Sequence, residues 1–202
     1  RREEMVAGAV LPPSVDLGNE DLGRSHVQAV WLARTGVTLG SKIPHDILDL
    51  SDEDACLRRA DIGKQVSLSE EALALCREDC RRILVDCGPA VMEAGWYHNG
   101  WLEEVLSAAP SRFDAAFGRW RELYAAARTQ LARARALEDA SRTSGGAPNA
   151  VASAERLQRE ARRQMNLLCG SDGSRDEQDF YPYRYLASEG FLPGYNFPAL
   201  PV

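Results

Sequence analysis

The sequence predicts a mainly α-helical protein: an irregular helical domain with a long antiparallel αα-hairpin and an irregular C-terminal segment rich in aromatic residues and proline. Three observations support this fold class. Apolar residues recur every three or four positions through several segments, which is the period of a helix with one buried face. The longest segment carries a heptad-like pattern and is followed by a Gly/Ser loop and a second helical pattern. After residue 170 this period stops, and aromatic residues alternate with proline and glycine.

Residues 1–110 are predicted to form a helical body, and residues 1–18 its extended lead-in. Asn19 has the side chain of a helix N-cap and is followed by two acidic residues, which the positive end of the helix dipole favours. Gly36 suits a helix stop. The first helix is therefore predicted over residues 19–35.

The middle of the body is predicted to contain short helical turns and one longer helix. We expect a turn or two over Asp46–Leu50, and Ser51–Asp54 is a second place where a helix can open. Ser67 and Glu70 have the spacing of a capping box, in which a hydroxyl and a carboxylate satisfy each other's backbone amides. A helix is predicted from there to Cys87, where a Gly-Pro pair ends it.

A short helix is predicted from its cap Asn99 to Ala108, with Pro110 separating it from the next helix because proline lacks a backbone amide. Residues 111–169 are predicted to form an Arg-rich hairpin with a loop over residues 143–149. Its first helix has apolar residues at alternating steps of four and three: Phe113, Phe117, Trp120, Tyr124, Ala127, Leu131 and Ala134. Its second helix is expected to turn Ala154, Leu157, Ala161, Met165 and Leu168 inward.

Residues 170–202 are predicted to be irregular chain that packs on the body or on a domain outside this sequence. Their last part is dense in aromatic residues: Phe180, Tyr181, Tyr183, Tyr185, Phe191, Tyr195 and Phe197. Large apolar side chains exposed together mark contact sites on proteins. Phe191, Tyr195 and Phe197 are therefore candidates for contact with another protein.

Composition describes an ordinary globular protein, with 45% apolar and 27% charged residues. No apolar run approaches the length needed to cross a bilayer, and no signal peptide is visible, so we expect a cytoplasmic protein whose five cysteines are free thiols. The formal charge of −6 is unevenly distributed. Residues 111–169 contain eleven Arg, no Lys and six acids, a net +5, and the remainder is −11.

A phosphate-binding loop is not visible in the sequence. Gly36, Gly40, Ser41 and Lys42 come nearest, but their spacing is wrong and they follow a helix rather than a strand. The acidic run Asp52–Ala55 is not preceded by a buried strand, so a solvated helix cap is the better interpretation. We therefore expect no nucleotide, magnesium or catalytic site in this chain.

Cysteine and histidine provide the other candidates for chemistry. Cys76 and Cys80 lie one helical turn apart, and a zinc site would need Cys87 and His98 to join them. Cysteines on the apolar face of a helix are more often small core residues, so we expect no metal site. A cysteine nucleophile needs a histidine and an orienting acid, and a structural role accounts for each histidine in its context.

Arginines along the hairpin are the candidate nucleic-acid-binding residues, because the guanidinium fork suits phosphate groups. They are Arg128, Arg133, Arg135, Arg156, Arg159, Arg162 and Arg163. The alternative is a solvated helix face whose arginines pair with acids such as Glu155 and Glu160.

Several segments resemble large bacterial DEAD/DEAH-box helicases of superfamily 2. The most specific is FYPYRYLASEGFLPGYNFP at residues 180–198, which is similar to a segment between the motor domains and a zinc-binding C-terminal region. The stretch Asp21–Gly36, the run Trp101–Leu106, Phe113 and the run Arg119–Tyr124 look like the linker region of the same family. The resemblance spans most of the chain.

The resemblance implies a parent protein that uses ATP and magnesium to move along or remodel nucleic acid and that carries zinc. The ATP-binding and magnesium-binding motifs of the family have no matching positions here, so no catalytic residue and no cofactor are assigned to this chain. It begins without an initiator Met and ends on an apolar Phe197–Val202 run, and we expect a piece of a longer protein.

The leading hypothesis is a non-catalytic accessory domain that couples the motor to the C-terminal region of a helicase. Its partners would be the remaining domains of the parent and DNA, which the hairpin would contact. The alternative is a protein–protein interaction module that uses the hairpin and the aromatic tail. A third hypothesis, a small enzyme that uses Cys or His, requires a thiol-reactive pocket that His98 lines.

Overall fold

The computed structural model of the chain describes residues 19–51, 56–143, 148–170 and 181–194. Across these ranges the chain is helical and has no β-strand, only isolated bridges of Leu48 with Pro44 and Arg58, so the predicted fold class is confirmed. The helices are α1 (Glu20–Thr35), α2 (Ile43–Asp46), α3 (Ala60–Gln65), α4 (Glu70–Asp86), α5 (Pro89–Glu93), α6 (Trp101–Ala116), α7 (Gly118–Thr143), α8 (Pro148–Cys169) and α9 (Pro182–Ser188). The predicted lead-in over residues 1–18 lies outside the described residues.

Helix α1 has the caps that the sequence predicts. The Asn19 side chain accepts a hydrogen bond from the Asp21 amide at 2.9 Å. Gly36 adopts a left-handed conformation with φ of 63°, which costs a residue without a Cβ little. The buried face of α1 includes Trp31, which is 1% exposed.

The predicted helical turn over Asp46–Leu50 is wrong. A tight turn comes earlier, at Ile43–Asp46, where Pro44 and His45 have non-helical backbone angles, and Leu48 then pairs with Arg58 in an isolated bridge. Ile47 and Leu48 are fully buried, so tertiary packing outweighs local helix preference here. The second short helix, expected over Ser51–Asp54, falls mostly on residues that are not described.

Helix α4 begins two residues later than the capping-box spacing predicts. Its N-cap is Ser69, whose hydroxyl accepts from the Ala72 amide at 3.2 Å. Ser67 instead donates its hydroxyl to the Gly63 carbonyl and belongs to the end of α3. Ser69 therefore caps the helix in place of the predicted Ser67. The predicted helix itself is confirmed.

Helices α1, α4 and α6 pack together to form the body. Arg34 on α1 pairs with Asp79 on α4. Arg77 on α4 pairs with Glu103 on α6 at 2.7 Å. The Trp101 indole on α6 donates to a Glu20 carboxylate oxygen on α1 at 3.1 Å. Each pair of body helices therefore has a polar link at its edge in addition to the apolar core.

Helix α6 does not end before Pro110, as the sequence predicts, but continues to Ala116 with the proline inside it. Val105, Leu106, Ala109 and Phe113 lie on a single buried face that crosses the proline. Burial of this continuous face compensates for the amide hydrogen bond that proline cannot make. The hairpin consequently begins at Gly118 rather than at Ser111, and Phe113 and Phe117 belong to the body.

Helices α7 and α8 pack along their length and form the predicted antiparallel hairpin. Alanines fill the seam: Ala127 and Ala134 on α7, Ala154 and Ala161 on α8, all at most 3% exposed. At the base, the Trp120 indole donates to the Leu168 carbonyl at 3.2 Å. One seam prediction is wrong, because Leu157 is 45% exposed. Gln158, one residue further along the chain, is half-buried instead.

Residues 181–194, the described part of the C-terminal segment, pack on the body, which is one of the two predicted alternatives, but part of this stretch is helical rather than irregular. Pro182 lies in the first turn of α9, where its missing amide has no intrahelical acceptor to lose. The Tyr185 ring stacks on Phe117, with centroids 6.1 Å apart. After α9, residues 190–194 are irregular, and the tail from residue 195 lies outside the described residues.

Candidate nucleic-acid interface

The heptad seam of the hairpin sets the positions of its arginines. On α7 an arginine recurs every seventh residue, at Arg121, Arg128, Arg135 and Arg142. A seven-residue period keeps these side chains on one edge of a helix that packs with heptad geometry. The hairpin therefore presents a column of arginines beside its seam.

Most of the predicted arginines are exposed. Arg133, Arg135, Arg162 and Arg163 are exposed, and none of them has an ion pair within the described part of the chain. Arg156 and Arg159 are exposed too, but each pairs with a glutamate one turn away, at 3.9 and 3.8 Å. Arg128 is half-buried. The first four are therefore best placed to bind a phosphate group.

Arg142 is an exposed hairpin arginine that is not among the predicted candidates. Its guanidinium lies 2.5 Å from the Glu138 carboxylate on its own helix and 3.8 Å from the Glu155 carboxylate across the hairpin. The Glu138–Arg142 spacing of four residues was a visible signal for the first pair. The second pair depends on how the two helices are aligned, which sequence spacing alone did not give.

Arginines at the base of the hairpin attach it to the body. Arg121 donates to the Cys56 carbonyl at 2.9 Å and pairs with Asp114 at 3.0 Å. Arg119 lies 3.8 Å from the carboxylate of Glu189, beyond the end of α9. These arginines attach the hairpin to the body, whereas the hairpin arginines beyond Arg128 are exposed.

The predicted contact residue Phe191 is not on the surface. It is 3% exposed and packs in the core against Trp31 and Phe113, so the structure contradicts its assignment to an exposed contact site. Tyr195 and Phe197 lie outside the described residues. The exposed large apolar side chains of the hairpin are instead Leu123, Leu137 and Leu157, which are 42%, 53% and 45% exposed.

In the segment that most resembles a phosphate loop, residues 36–42, a carboxylate already accepts hydrogen bonds from the backbone amides. The amides of Ser41 and Lys42 both donate to the same Asp46 carboxylate oxygen, at 2.8 and 2.9 Å. These are the backbone donors that a phosphate would need. The Asp46 side chain therefore takes the position that an anion would occupy.

Cys76 and Cys80 are buried core thiols on α4. Their mutual hydrogen bond lowers the pKa of Cys76, and the same bond together with burial raises the pKa of Cys80. Both side chains are at most 1% exposed. Cys87 is half-buried and His98 is exposed. Within the described ranges, no three His, Cys, Asp or Glu side chains come together as a metal site.

Comparisons with models of protein families, with curated proteins and with solved structures find no match to this chain. No helix in the described ranges is both long and apolar enough to span a membrane. The functional interpretation therefore depends on the geometry and charge of the hairpin.

Proposed function

We propose that this chain is a non-catalytic accessory domain of a DEAD/DEAH-box helicase and that its hairpin contacts the phosphate backbone of nucleic acid. The observation that carries the proposal is the group of exposed arginines Arg133, Arg135, Arg162 and Arg163, which have no ion pair in the described part of the chain. Guanidinium groups bind phosphate with two hydrogen bonds, and binding releases counterions from the backbone.

The uneven distribution of charge along the chain supports a nucleic-acid contact through the hairpin. Residues 111–169 carry a net +5 and the remainder −11, so a polyanion is attracted to the hairpin and repelled by the rest. The attachment of the base of the hairpin to the body also suits a role in coupling the domains of the parent protein. Arg121 attaches the hairpin to the body through its hydrogen bond to the Cys56 carbonyl, and Trp120 joins α7 to α8 through the Leu168 carbonyl, so a displacement at the base moves both helices together.

ATP, magnesium and zinc enter this proposal through the parent protein, whose other domains would supply the motor and the zinc-binding region. The Arg-rich hairpin would contribute positioning alone. We place the parent in the cytoplasm, where the free thiols of this chain suit a reducing compartment.

A salt series tests the nucleic-acid contact. Fluorescence anisotropy of a labelled DNA duplex with the full chain should show affinity that falls as salt rises. The expected slope is about −3 to −4 on a double-logarithmic plot, for four phosphate contacts. Arg133→Gln, Arg135→Gln, Arg162→Gln and Arg163→Gln combined should remove most of the binding. No detectable binding at low salt would contradict the contact and leave the coupling role alone.

A protein–protein interaction module is the second candidate, and the exposed leucines favour it. Leu137 and Leu157 are 53% and 45% exposed on the two packed helices, outside the buried alanine seam. Exposed leucines on a hairpin suit contact with an apolar surface. The occupant in this candidate is another domain of the parent protein.

Calorimetric titration of the full chain with the remaining domains of the parent tests this candidate. Leu137→Gln combined with Leu157→Gln should weaken association. Leu75→Gln is the matched control, because Leu75 is 55% exposed on α4 and lies outside the hairpin. Equal effects of the hairpin variants and the control would eliminate the leucines as the contact.

A further inference from the structure

We propose that Arg135 on α7 and Arg162 on α8 together form a phosphate seat across one edge of the hairpin. The seat deepens the proposed nucleic-acid contact and rests on it. Its ligand is a phosphate group of a polyanion, held between two guanidinium groups that belong to different helices.

The register of the hairpin brings these two arginines to equivalent positions. Arg142 on α7 and Glu155 on α8 form an ion pair across the hairpin, with a nitrogen–oxygen distance of 3.8 Å. Arg135 precedes Arg142 by one heptad, and Arg162 follows Glu155 by one heptad. In antiparallel helices these steps run in the same direction along the hairpin. The next pair on this edge is therefore Arg135 and Arg162, two cations where the previous pair has opposite charges.

The alanine seam keeps that register between the two pairs. Ala134 and Ala127 on α7, and Ala154 and Ala161 on α8, are also one heptad apart and are all buried. Small seam residues allow the helices to approach closely. Side chains that flank the seam on one edge are thus close enough to share a ligand.

Nearby acids do not neutralise this pair. Glu155 is already shared between Arg142 and Arg159, each at 3.8 Å. Asp139 lies one turn from Arg135 but forms no ion pair with it, and in the described part of the chain neither Arg135 nor Arg162 has an ion pair. Two neighbouring like charges repel each other, and a bound phosphate between them removes that repulsion.

The arginine column continues the same edge towards the base of the hairpin. Arg128 lies one heptad before Arg135, which is about 10.5 Å along a helix. Arg121, a further heptad on, is attached to the body by its hydrogen bond to Cys56. An extended polyanion that lies along this edge therefore meets Arg135 and Arg162 as its best exposed cations.

Arg162→Glu tests the seat in the full chain and separates binding from folding. The variant places a carboxylate opposite Arg135, at positions equivalent to the Arg142–Glu155 pair, so thermal unfolding should not shift to a lower temperature. Duplex affinity should fall about tenfold and the salt slope should shrink by about 1. The control is Arg112→Glu, which makes the same change in net charge at an exposed arginine on α6 and should leave affinity nearly unchanged.

The possible outcomes separate the seat from the proposed function. If the chain binds DNA but Arg162→Glu and Arg112→Glu weaken it equally, the seat is wrong while the nucleic-acid contact survives. If the chain binds no DNA at low salt, the contact fails. Inorganic tripolyphosphate serves as the second probe. If the chain binds tripolyphosphate but not DNA, and Arg162→Glu weakens that binding, the seat is supported with free polyphosphate as its ligand. If the chain binds neither tripolyphosphate nor DNA, the seat is wrong.

Discussion

The Phe191 ring lies between Trp31 and Phe113, with ring centroids 6.2 and 5.6 Å away, and it is 3% exposed. It joins the C-terminal segment to α1 and α6, which are far away in the sequence. Aromatic pairs at these distances contribute beyond their buried area. Phe191 is therefore a principal anchor of the segment that follows α9.

Replacing Phe191 by alanine tests this anchor. Phe191→Ala should lower the free energy of unfolding by about 3–5 kcal/mol, because it removes a buried ring and leaves a cavity. Tyr181→Ala, at a 43% exposed aromatic residue of the same segment, should change it by about 0.5 kcal/mol or less. Urea unfolding followed by circular dichroism measures both. Similar effects of the two substitutions would show that the segment does not pack on the body.

His26 on α1 makes stability depend on pH. Burial lowers the pKa of His26 below its usual value of about 6.5, so the unfolded chain binds a proton more readily than the folded one. Stability should therefore decrease as pH falls below about 6.5. His26→Gln should reduce the loss of stability between about pH 7.5 and 5.5. His98→Gln, at an exposed histidine, should leave that loss of stability unchanged. A steeper loss in His26→Gln would contradict this assignment.

For the helices, the sequence predicted the features that depend on residues close together in the chain. The caps Asn19 and Gly36 fix α1, and heptad spacing fixes the hairpin. Sequence spacing failed where distant packing decides the structure. Helix α6 continues through Pro110 because its buried face is continuous, and Leu48 pairs with Arg58 in an isolated bridge where the sequence predicts a helical turn.

The candidate site was also predicted only in part: the sequence indicated which residues are exposed but not which residues they pair with. Six of the seven predicted arginines are exposed, since a charged residue on a helix that is not in the seam faces water. Their partners could not be predicted, because the Arg142–Glu155 pair depends on the alignment of two helices. Phe191 was misassigned because apolar side chains look alike in sequence, whether a protein buries them itself or uses them to contact a partner.

The alanine seam provides a test of the hairpin as an element. Ala134→Leu should destabilise the chain by about 1–3 kcal/mol, because a larger side chain does not fit between closely packed helices. Ala136→Leu, two residues away on an exposed position, should change stability by about 0.5 kcal/mol or less. Thermal unfolding compares the two variants. A tolerated Ala134→Leu would mean that α7 and α8 are not closely packed at this point.

The whole molecule combines a body with an acidic sequence and a hairpin with a basic one. Residues outside 111–169 carry a net −11 and are repelled by a polyanion. The hairpin presents exposed arginines along its length and is attached to the body at its base through Arg119 and Arg121. This arrangement suits an element that contacts a nucleic-acid backbone and passes its position to the domains around it.

Hydrogen–deuterium exchange of the full chain, with and without a saturating DNA duplex at low salt, is the sharpest test of a nucleic-acid contact through the hairpin. We expect slower amide exchange in α7 and α8 when DNA is bound, and unchanged exchange in α1, α4 and α6. Slower exchange in the body helices with an unchanged hairpin would contradict the account.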